Sequence, residues 1–271
     1  MVWVRGGWGF RVTLALAWVM LLFLLLPLVV VTPISLTPER FLLMPTDTFS
    51  LQHYVNLATN EKWTDAIWQS LVIAVASTAI AVVVGTLAAI GLWRMASRLA
   101  ELLRGLVLLP VIVPAIVSAL AFYRVFVDLG LLDTMPGVIL AHSVLAAPFV
   151  VITVSTSLAS FDLKLEQAAR NLGATMRQAM WLVILPNVRP GIAAGAVFAF
   201  ILSWDEIVVT LFVSKLNVFT LPRRMWDGIR DQADPTIAAC ATALILLTAA
   251  AVLAKLLIDA RRARNAPAAP E

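Results

Sequence analysis

Length, composition and charge exclude an ordinary soluble domain. The chain has 271 residues, of which 61% are hydrophobic and 13% are charged, and its mean hydropathy is +0.94. A soluble domain has about a quarter charged residues, and so few charges do not cover a water-exposed surface of this size. A membrane protein without room for a second large soluble domain is therefore predicted. The formal net charge of +4 matters less than where the charges lie between apolar segments.

Six apolar segments are long enough to cross a bilayer as helices, which takes about 20 residues. In chain order they cover residues 12–32, 66–93, 106–126, 137–158, 191–213 and 236–258. The first follows Arg5 and Arg11, a flank that also suits a secretory signal, but VVVTPIS has no clear cleavage site and an uncleaved helix is favoured. Pro110, Pro114 and Pro148 predict kinks in the third and fourth helices.

Basic residues are concentrated in alternate connections, which predicts an orientation. With six spans, the N-terminal flank, the second–third loop, the fourth–fifth loop and the C-terminal tail share one side and hold Arg5, Arg11, Arg94, Arg98, Arg104, Lys164, Arg170, Arg177, Arg189, Arg261, Arg262 and Arg264. The positive-inside rule places that side, and both termini, in the cytoplasm. The opposite loop with Lys215, Arg223, Arg224 and Arg230 departs from the rule, and its acidic residues predict a folded, salt-bridged element.

The remaining reactive residue types do not point to catalysis or to a metal site. Cys240 is the single cysteine, and His53 and His142 are too far apart in sequence to indicate a catalytic dyad or a metal-binding cluster. The chain has no GxxxxGK[ST] motif to hold the phosphates of ATP. Gly85 and Gly91 lie on an apolar helix, where they are interpreted as helix-packing positions.

The segment 161–190, FDLKLEQAARNLGATMRQAMWLVILPNVRP, predicts a helix–glycine–helix hairpin. A helix over 165–172 is expected to end at Gly173, and a second helix over 176–185 is expected to end at Pro186. Such a rigid hairpin on the cytoplasmic side is suited to docking into a groove on a soluble partner and to transmitting motion.

This segment resembles the EAA loop of binding-protein-dependent ABC importers, whose pattern is EAA, three residues, Gly, nine residues, then Ile-x-Leu-Pro. The positions that match the spacing are Gln167, Ala168, Ala169, Gly173, Val183, Leu185 and Pro186. Two positions depart from the pattern. Gln167 replaces the family glutamate, with Glu166 one residue earlier, and Val183 replaces isoleucine. The resemblance implies that Glu166 and the matching residues form the loop that couples the permease to its ATPase, with small alanines for close approach and a glycine for the turn.

The resemblance also implies a fold and a set of partners. The fold would be an all-α membrane protein with six transmembrane helices, both termini in the cytoplasm, and the type I ABC importer permease arrangement with a cytoplasmic coupling helix. Implied partners are a cytoplasmic ATPase dimer, a second permease subunit that is identical or different, an extracytoplasmic solute-binding protein and the lipid bilayer. Nucleic acid is not an expected partner. The implied location is the bacterial cytoplasmic (inner) membrane, as a multi-pass protein.

By this resemblance the chain would be a transporter subunit and not an enzyme. It would need no cofactor or metal of its own, because ATP and Mg would bind to the separate ATPase. The predicted divisions are residues 1–65, with the N-terminal tail, first helix and outer loop; residues 66–260, the five-helix permease core; and residues 261–271, a cytoplasmic tail.

Two adjacent carboxylates, Asp205 and Glu206, lie within the fifth predicted span. Insertion scales give carboxylates a cost of roughly 3 kcal/mol each at membrane depth, so these residues predict either a pathway for a cationic solute or a structural contact between helices. On a continuous helix they would point about 100° apart, and one of the two would face the pathway. The neighbouring Trp204 offers an aromatic face that could hold an ammonium group.

The segments SWDEIVVTLFV (203–213) and TLPRRMWDGIRD (220–231) resemble the spermidine/putrescine permease subfamily. This implies import of a small polar cationic solute, such as a polyamine, by alternating access. Related permeases leave aminoethylphosphonate, iron or an amino acid open as the solute. Two other classes are also open: a gradient-driven carrier or channel that uses Asp205 or Glu206, and a membrane-embedded enzyme built around His142 and Ser143.

Overall fold

The computed structural model describes residues 7–46, 48–95, 97–231 and 234–264, and within these ranges the regular structure is helical throughout. The helices are α1 (Trp8–Ile34), α2 (Gln52–Thr59), α3 (Glu61–Arg94), α4 (Arg98–Ile112), α5 (Ala115–Leu129), α6 (Met135–Ala159), α7 (Leu163–Asn171), α8 (Met176–Ala179), α9 (Leu185–Asp205), α10 (Val208–Val213), α11 (Leu221–Asp231) and α12 (Thr236–Arg264). A π-helical turn, Met180–Ile184, joins α8 to α9.

Five helices are long and apolar enough to cross a membrane: Trp8–Ile34, Glu61–Arg94, Met135–Ala159, Met176–Asp205 and Thr236–Arg261. The pair α4 and α5 forms a sixth apolar segment, which is bent by 103° between its two halves. The predicted all-α fold with six apolar segments is therefore confirmed, with the third segment broken.

The break in the third segment corrects the prediction of a single kinked span over 106–126. Pro114 lacks an N–H group and disfavours helical geometry in the residue before it, and Val113 is accordingly extended, with φ −73° and ψ 131°. The other two prolines do not break their helices. Pro110 lies inside α4, and Pro148 lies inside the uninterrupted α6.

The fifth predicted span and the end of the hairpin also need correction. The second hairpin helix does not stop at Pro186 but continues through the π turn into α9, so that one helical run covers Met176–Asp205. Pro186 falls in the first turn of α9, where a missing N–H is tolerated beside the irregular π turn. At the other end, α9 stops at Asp205 and α10 begins at Val208, so the predicted span 191–213 consists of two helices.

Contacts divide the chain into two compact units, residues 1–64 with 225–271, and residues 65–224. In the first unit α1 and α2 each pack on α12, and the Asn56 amide donates a hydrogen bond of 2.8 Å to Thr236 Oγ1. The sequence-based divisions at residues 65 and 260 are functional segments and not contact units, and they stay a prediction.

In the second unit α6 is the central helix and packs against α4, α9 and α10. Small residues allow the close approach: a Cβ atom added at Gly195 would lie 2.6 Å from Thr153 Oγ1, and one at Gly85 of α3 would lie 2.8 Å from Val150 Cβ. Helix packing is thus confirmed for Gly85. A Cβ at Gly91 would have no described atom within 4 Å, so the packing prediction is wrong for Gly91 within this chain.

Candidate coupling hairpin and helix-break site

The first helix of the hairpin, α7, has a defined structure at each end. The Asp162 carboxylate accepts a hydrogen bond of 2.9 Å from the Lys164 N–H and caps the N-terminus. At the C-terminus the backbone turns at Gly173, whose φ of +92° favours glycine. The Gly173 N–H donates to Arg170 O and the Ala174 N–H to Ala169 O, each over 3.0 Å, which is the Schellman pattern. The predicted helix end at Gly173 is confirmed.

The second helix of the hairpin begins with a capping box. The Gln178 N–H donates to Thr175 Oγ1 over 3.3 Å, and the Thr175 N–H donates to Gln178 Oε1 over 2.7 Å. These reciprocal bonds satisfy two N–H groups that a helix start would otherwise leave unpaired. Both helices are thus fixed by local hydrogen bonds on either side of the glycine turn.

The predicted coupling residues divide into an exposed and a half-buried group. Gln167, Ala168 and Gly173 are exposed and Ala169 is half-buried, so this part of the hairpin is open to a partner. Leu172, next to the turn, is 90% exposed. The other large apolar side chains exposed on the hairpin are Leu163, Leu165, Met176, Trp181 and Leu182. A cluster of exposed apolar side chains is typical of an interaction surface.

The remaining members of the predicted motif lie against the protein itself. Val183, Leu185 and Pro186 are half-buried, and the intervening Ile184 is fully buried in the core of the second unit. Glu166 is buried, and its carboxylate pairs with the Arg94 guanidinium at 2.9 Å. Glu166 therefore points away from the exposed surface that carries Gln167 and Ala168.

The three residues predicted for the solute pathway lie at the break between α9 and α10. Trp204 is half-buried and stacks on Phe200 with ring centroids 5.9 Å apart. Asp205 is exposed and is the last residue of α9. Glu206 is extended, with φ −73° and ψ 110°, and its carboxylate accepts the Val209 N–H at 2.9 Å, which caps α10. The prediction that both carboxylates belong to one continuous helix is therefore wrong, and the 100° argument does not apply.

A buried network of hydrogen bonds supports this break. His142 of α6 contacts Ser203 Oγ of α9 through Nδ1 at 2.9 Å and Thr210 Oγ1 of α10 through Nε2 at 3.0 Å. Ser203 Oγ in turn lies 2.8 Å from Ser77 Oγ of α3. All four side chains are at most 4% exposed. The network joins four helices and fixes the end of α9 relative to the start of α10.

The His142–Ser143 pair considered for an enzyme is not a pair in the structure. Ser143 Oγ donates to Ile139 O of its own helix over 2.6 Å, whereas His142 faces α9 and α10. Within the described residues, no group of three or more His, Cys, Asp or Glu side chains is arranged to hold a metal ion.

The basic loop that departs from the positive-inside rule is a folded element. Arg223 of α11 is buried and donates to Ser214 Oγ and Lys215 O, each over 2.6 Å, and to Val218 O over 3.1 Å. Its guanidinium also lies 4.3 Å from the centre of the Phe219 ring. The arginine thus closes the loop that leads from α10 to α11.

Asp133, in the connection between α5 and α6, also binds this loop. Its carboxylate accepts the backbone N–H groups of Lys215, Leu216 and Asn217 at 2.7–3.3 Å. Burial works to raise the pKa of Asp133, but the N–H donors outweigh burial and hold the pKa below its usual range.

We expect Asp133→Asn to remove an acid-dependent part of the stability. Because the folded pKa lies below the unfolded value of about 3.9, the stabilisation by the carboxylate is complete above that pH and is lost as the pH falls through the folded pKa. Between pH 7 and pH 3 the unfolding temperature of the purified protein should therefore fall more steeply for wild type than for the variant. Asp128→Asn, which alters an exposed ion pair with Arg124, is the control. Parallel curves for wild type and Asp133→Asn would contradict the assignment.

The fold and the hairpin define a class: a helical, multi-pass membrane protein with a capped, largely exposed hairpin between two of its spans. Residues 81–264 match the family model described as binding-protein-dependent transport system inner membrane component. Since the match covers more than half of the chain, the chain belongs to this family. Members are permease subunits of ABC importers, so the protein is a transporter component of the inner membrane and not an enzyme.

Curated relatives and a solved structure agree with the family. The chain is 31% identical over 236 residues to the spermidine/putrescine transport system permease protein PotC of Escherichia coli strain K12, covering 87% of this chain and 89% of PotC. It is 29% identical over 204 residues to the putrescine transport system permease protein PotI of the same organism, covering 73% of each. The fold matches a chain in the crystal structure of a bacterial ABC transporter involved in the import of the acidic polysaccharide alginate. That match has a TM-score of 0.71 and 16% identity, and it covers 96% of this chain and 99% of the other.

Proposed function

We propose that this chain is the permease subunit of an ABC importer that moves a polyamine, such as spermidine or putrescine, into the cytoplasm by alternating access. The observation that carries the proposal is the capped hairpin, which exposes Gln167, Ala168 and Gly173 at the spacing of the EAA loop. A short helix that is fixed at both ends can transmit a movement of a bound partner to α6 and α9, the spans that precede and follow the hairpin.

The proposed assembly contains a cytoplasmic ATPase dimer, a second permease subunit and an extracytoplasmic solute-binding protein. ATP and Mg would bind to the ATPase, and this chain would contribute neither a cofactor nor a metal. Both termini and the hairpin would lie in the cytoplasm, and the support for that orientation is the concentration of arginine and lysine in the alternate connections.

The proposed solute pathway passes the break between α9 and α10. Of the two carboxylates, Asp205 is exposed, whereas that of Glu206 accepts the Val209 N–H. Asp205 is therefore the proposed contact for a cationic amine, Trp204 is the proposed aromatic neighbour, and Glu206 shapes the break. The names of the relatives PotC and PotI support a polyamine as the solute.

The proposal is tested by uptake through the complete transporter. Radiolabelled spermidine and putrescine should be taken up, and Asp205→Asn should reduce that uptake by about tenfold, because a charge-assisted contact of roughly 1.5 kcal/mol or more is lost. Asp128→Asn, an exposed aspartate in α5, is the matched control and should keep wild-type uptake. Uptake of an amino acid or aminoethylphosphonate in place of polyamines would overturn the solute assignment. Unchanged polyamine uptake by Asp205→Asn would overturn the pathway.

A further inference from the structure

The pair Arg94–Glu166 joins the hairpin to a transmembrane helix of the same chain. Arg94 is the last residue of α3, and its Nη2 lies 2.9 Å from Glu166 Oε1 in the middle of α7. The Glu166 side chain is 6% exposed and that of Arg94 is 28% exposed. The ion pair Arg124–Asp128, by contrast, is 72% and 60% exposed. Water screens an exposed pair of that kind strongly, whereas a buried carboxylate depends on its partner.

An aromatic pair links the arginine to the start of the hairpin. The Arg94 guanidinium lies 4.8 Å from the centre of the Trp93 ring, and Trp93 meets Phe161 edge to face with ring centroids 6.1 Å apart. Phe161 lies in the connection between α6 and α7, next to the capping residue Asp162. The end of α3 therefore contacts both the start of the hairpin and the middle of its first helix.

We propose that Arg94 and Glu166 form an internal tie that makes the hairpin move as one body with α3. Glu166 is then a positioning residue that acts through Arg94, and it is not part of the surface that meets the ATPase. On this proposal Glu166 has a different role from the one that the family resemblance implies. The inference rests on the proposed function, because the tie matters for transport only if the hairpin binds the ATPase and moves with its conformational change.

The tie depends on few contacts, which makes it testable. A single N–H···O bond links the two charged groups, and Arg94 Nε has no hydrogen-bond partner among the described residues. Arg94→Gln leaves a buried carboxylate without its cation. Glu166→Gln leaves the Trp93 ring as the remaining partner of the guanidinium among the described residues. Either change should loosen α7 without altering Gln167, Ala168 or Leu172.

The experiment uses the complete transporter in nanodiscs with Arg94→Gln, Glu166→Gln and the double variant. Two quantities are measured, solute transported per ATP hydrolysed and hydrogen exchange of the α7 amides. We expect each single variant to lower the transport ratio about tenfold and to speed α7 exchange by a similar factor, with the double variant no worse than the single ones. The exposed α4 residues Arg104 and Glu101, each changed to Gln, are the controls and should match wild type.

Three results would overturn the tie. The first is a wild-type transport ratio and wild-type α7 exchange in both single variants. The second is a double variant in which the two losses multiply, because independent residues behave in that way. The third is a loss of ATPase binding by Glu166→Gln with unchanged α7 exchange, which would make Glu166 a contact residue. Failure of the proposed function is distinguishable, because it would show in the wild-type complex as transport without any ATP hydrolysis.

Discussion

Gly173→Pro should abolish ATP-driven uptake while the protein remains inserted in the membrane. Proline fixes φ near −65°, whereas the turn requires +92° at this residue. The substitution also removes the N–H that donates to Arg170 O. The Schellman end of α7 is then lost, and Leu172 and Ala168 no longer face the partner in a fixed geometry. We expect uptake to fall by at least about a hundredfold, since a misplaced coupling element transmits little of the ATPase motion.

The measurement combines pull-down of the ATPase with uptake, and graded variants make it specific. Gly173→Asn should keep more activity than Gly173→Ala, because asparagine tolerates the left-handed region better than other side-chain-bearing residues. Gly105→Ala is the matched control, since Gly105 lies on α4 with no described atom within 4 Å of an added Cβ, and it should behave as wild type. Undiminished ATPase association and uptake in Gly173→Pro would refute the coupling role of the hairpin.

His142→Leu should destabilise the protein and reduce uptake together. The substitution removes both interhelical hydrogen bonds of the imidazole and leaves Ser203 and Thr210 buried beside an apolar side chain. Interhelical hydrogen bonds in membrane proteins contribute roughly 0.6–1.7 kcal/mol each, so a total loss of about 1–3 kcal/mol is expected. Because Ser203 and Thr210 flank the break, the geometry of Asp205 and Glu206 should also loosen, and the apparent KM for the solute should rise.

The neighbouring hydroxyl provides the control for this prediction. Ser143 is also buried, but among the described residues its Oγ donates to a carbonyl of its own helix, Ile139 O. Ser143→Ala should therefore lower thermal stability by less than His142→Leu does, because it breaks no described hydrogen bond between helices, and it should leave the KM unchanged. The measurements are thermal unfolding in detergent and the solute dependence of uptake. Equal effects of His142→Leu and Ser143→Ala would show that the network does not hold the break.

The features that follow from local signals were predictable from the sequence. Long apolar runs predict spans wherever they occur, and Gly173 marks the end of α7 because few other residues adopt its backbone angles. The kink prediction at Pro114 identified the place of the break but not its angle of 103°, which depends on how α4 and α5 pack on other helices. The continuation of the helix past Pro186 does not follow from the local pattern, because it depends on the π turn that precedes this proline.

The candidate site depended on contacts that no local pattern contains. The sequence places His142 beside Ser143, but its partners Ser203 and Thr210 lie 61 and 68 residues further along the chain. Glu166 could be placed on a helix from the sequence, yet its burial follows from Arg94, 72 residues earlier. Serine, threonine and arginine occur in many loops and helices, so only the packing of α3, α6, α7, α9 and α10 selects these pairs.

The most direct measurement of the central claim is solute accumulation in proteoliposomes that contain the full transporter, with its ATPase and binding protein, and no ion gradient. Addition of ATP should drive accumulation of spermidine or putrescine, and an ATPase variant that cannot hydrolyse ATP should abolish it. Gly173→Pro should abolish accumulation to the same extent in otherwise identical vesicles. Accumulation that proceeds in vesicles with only this chain and an imposed ion gradient, without ATP, would contradict the account and favour a gradient-driven carrier.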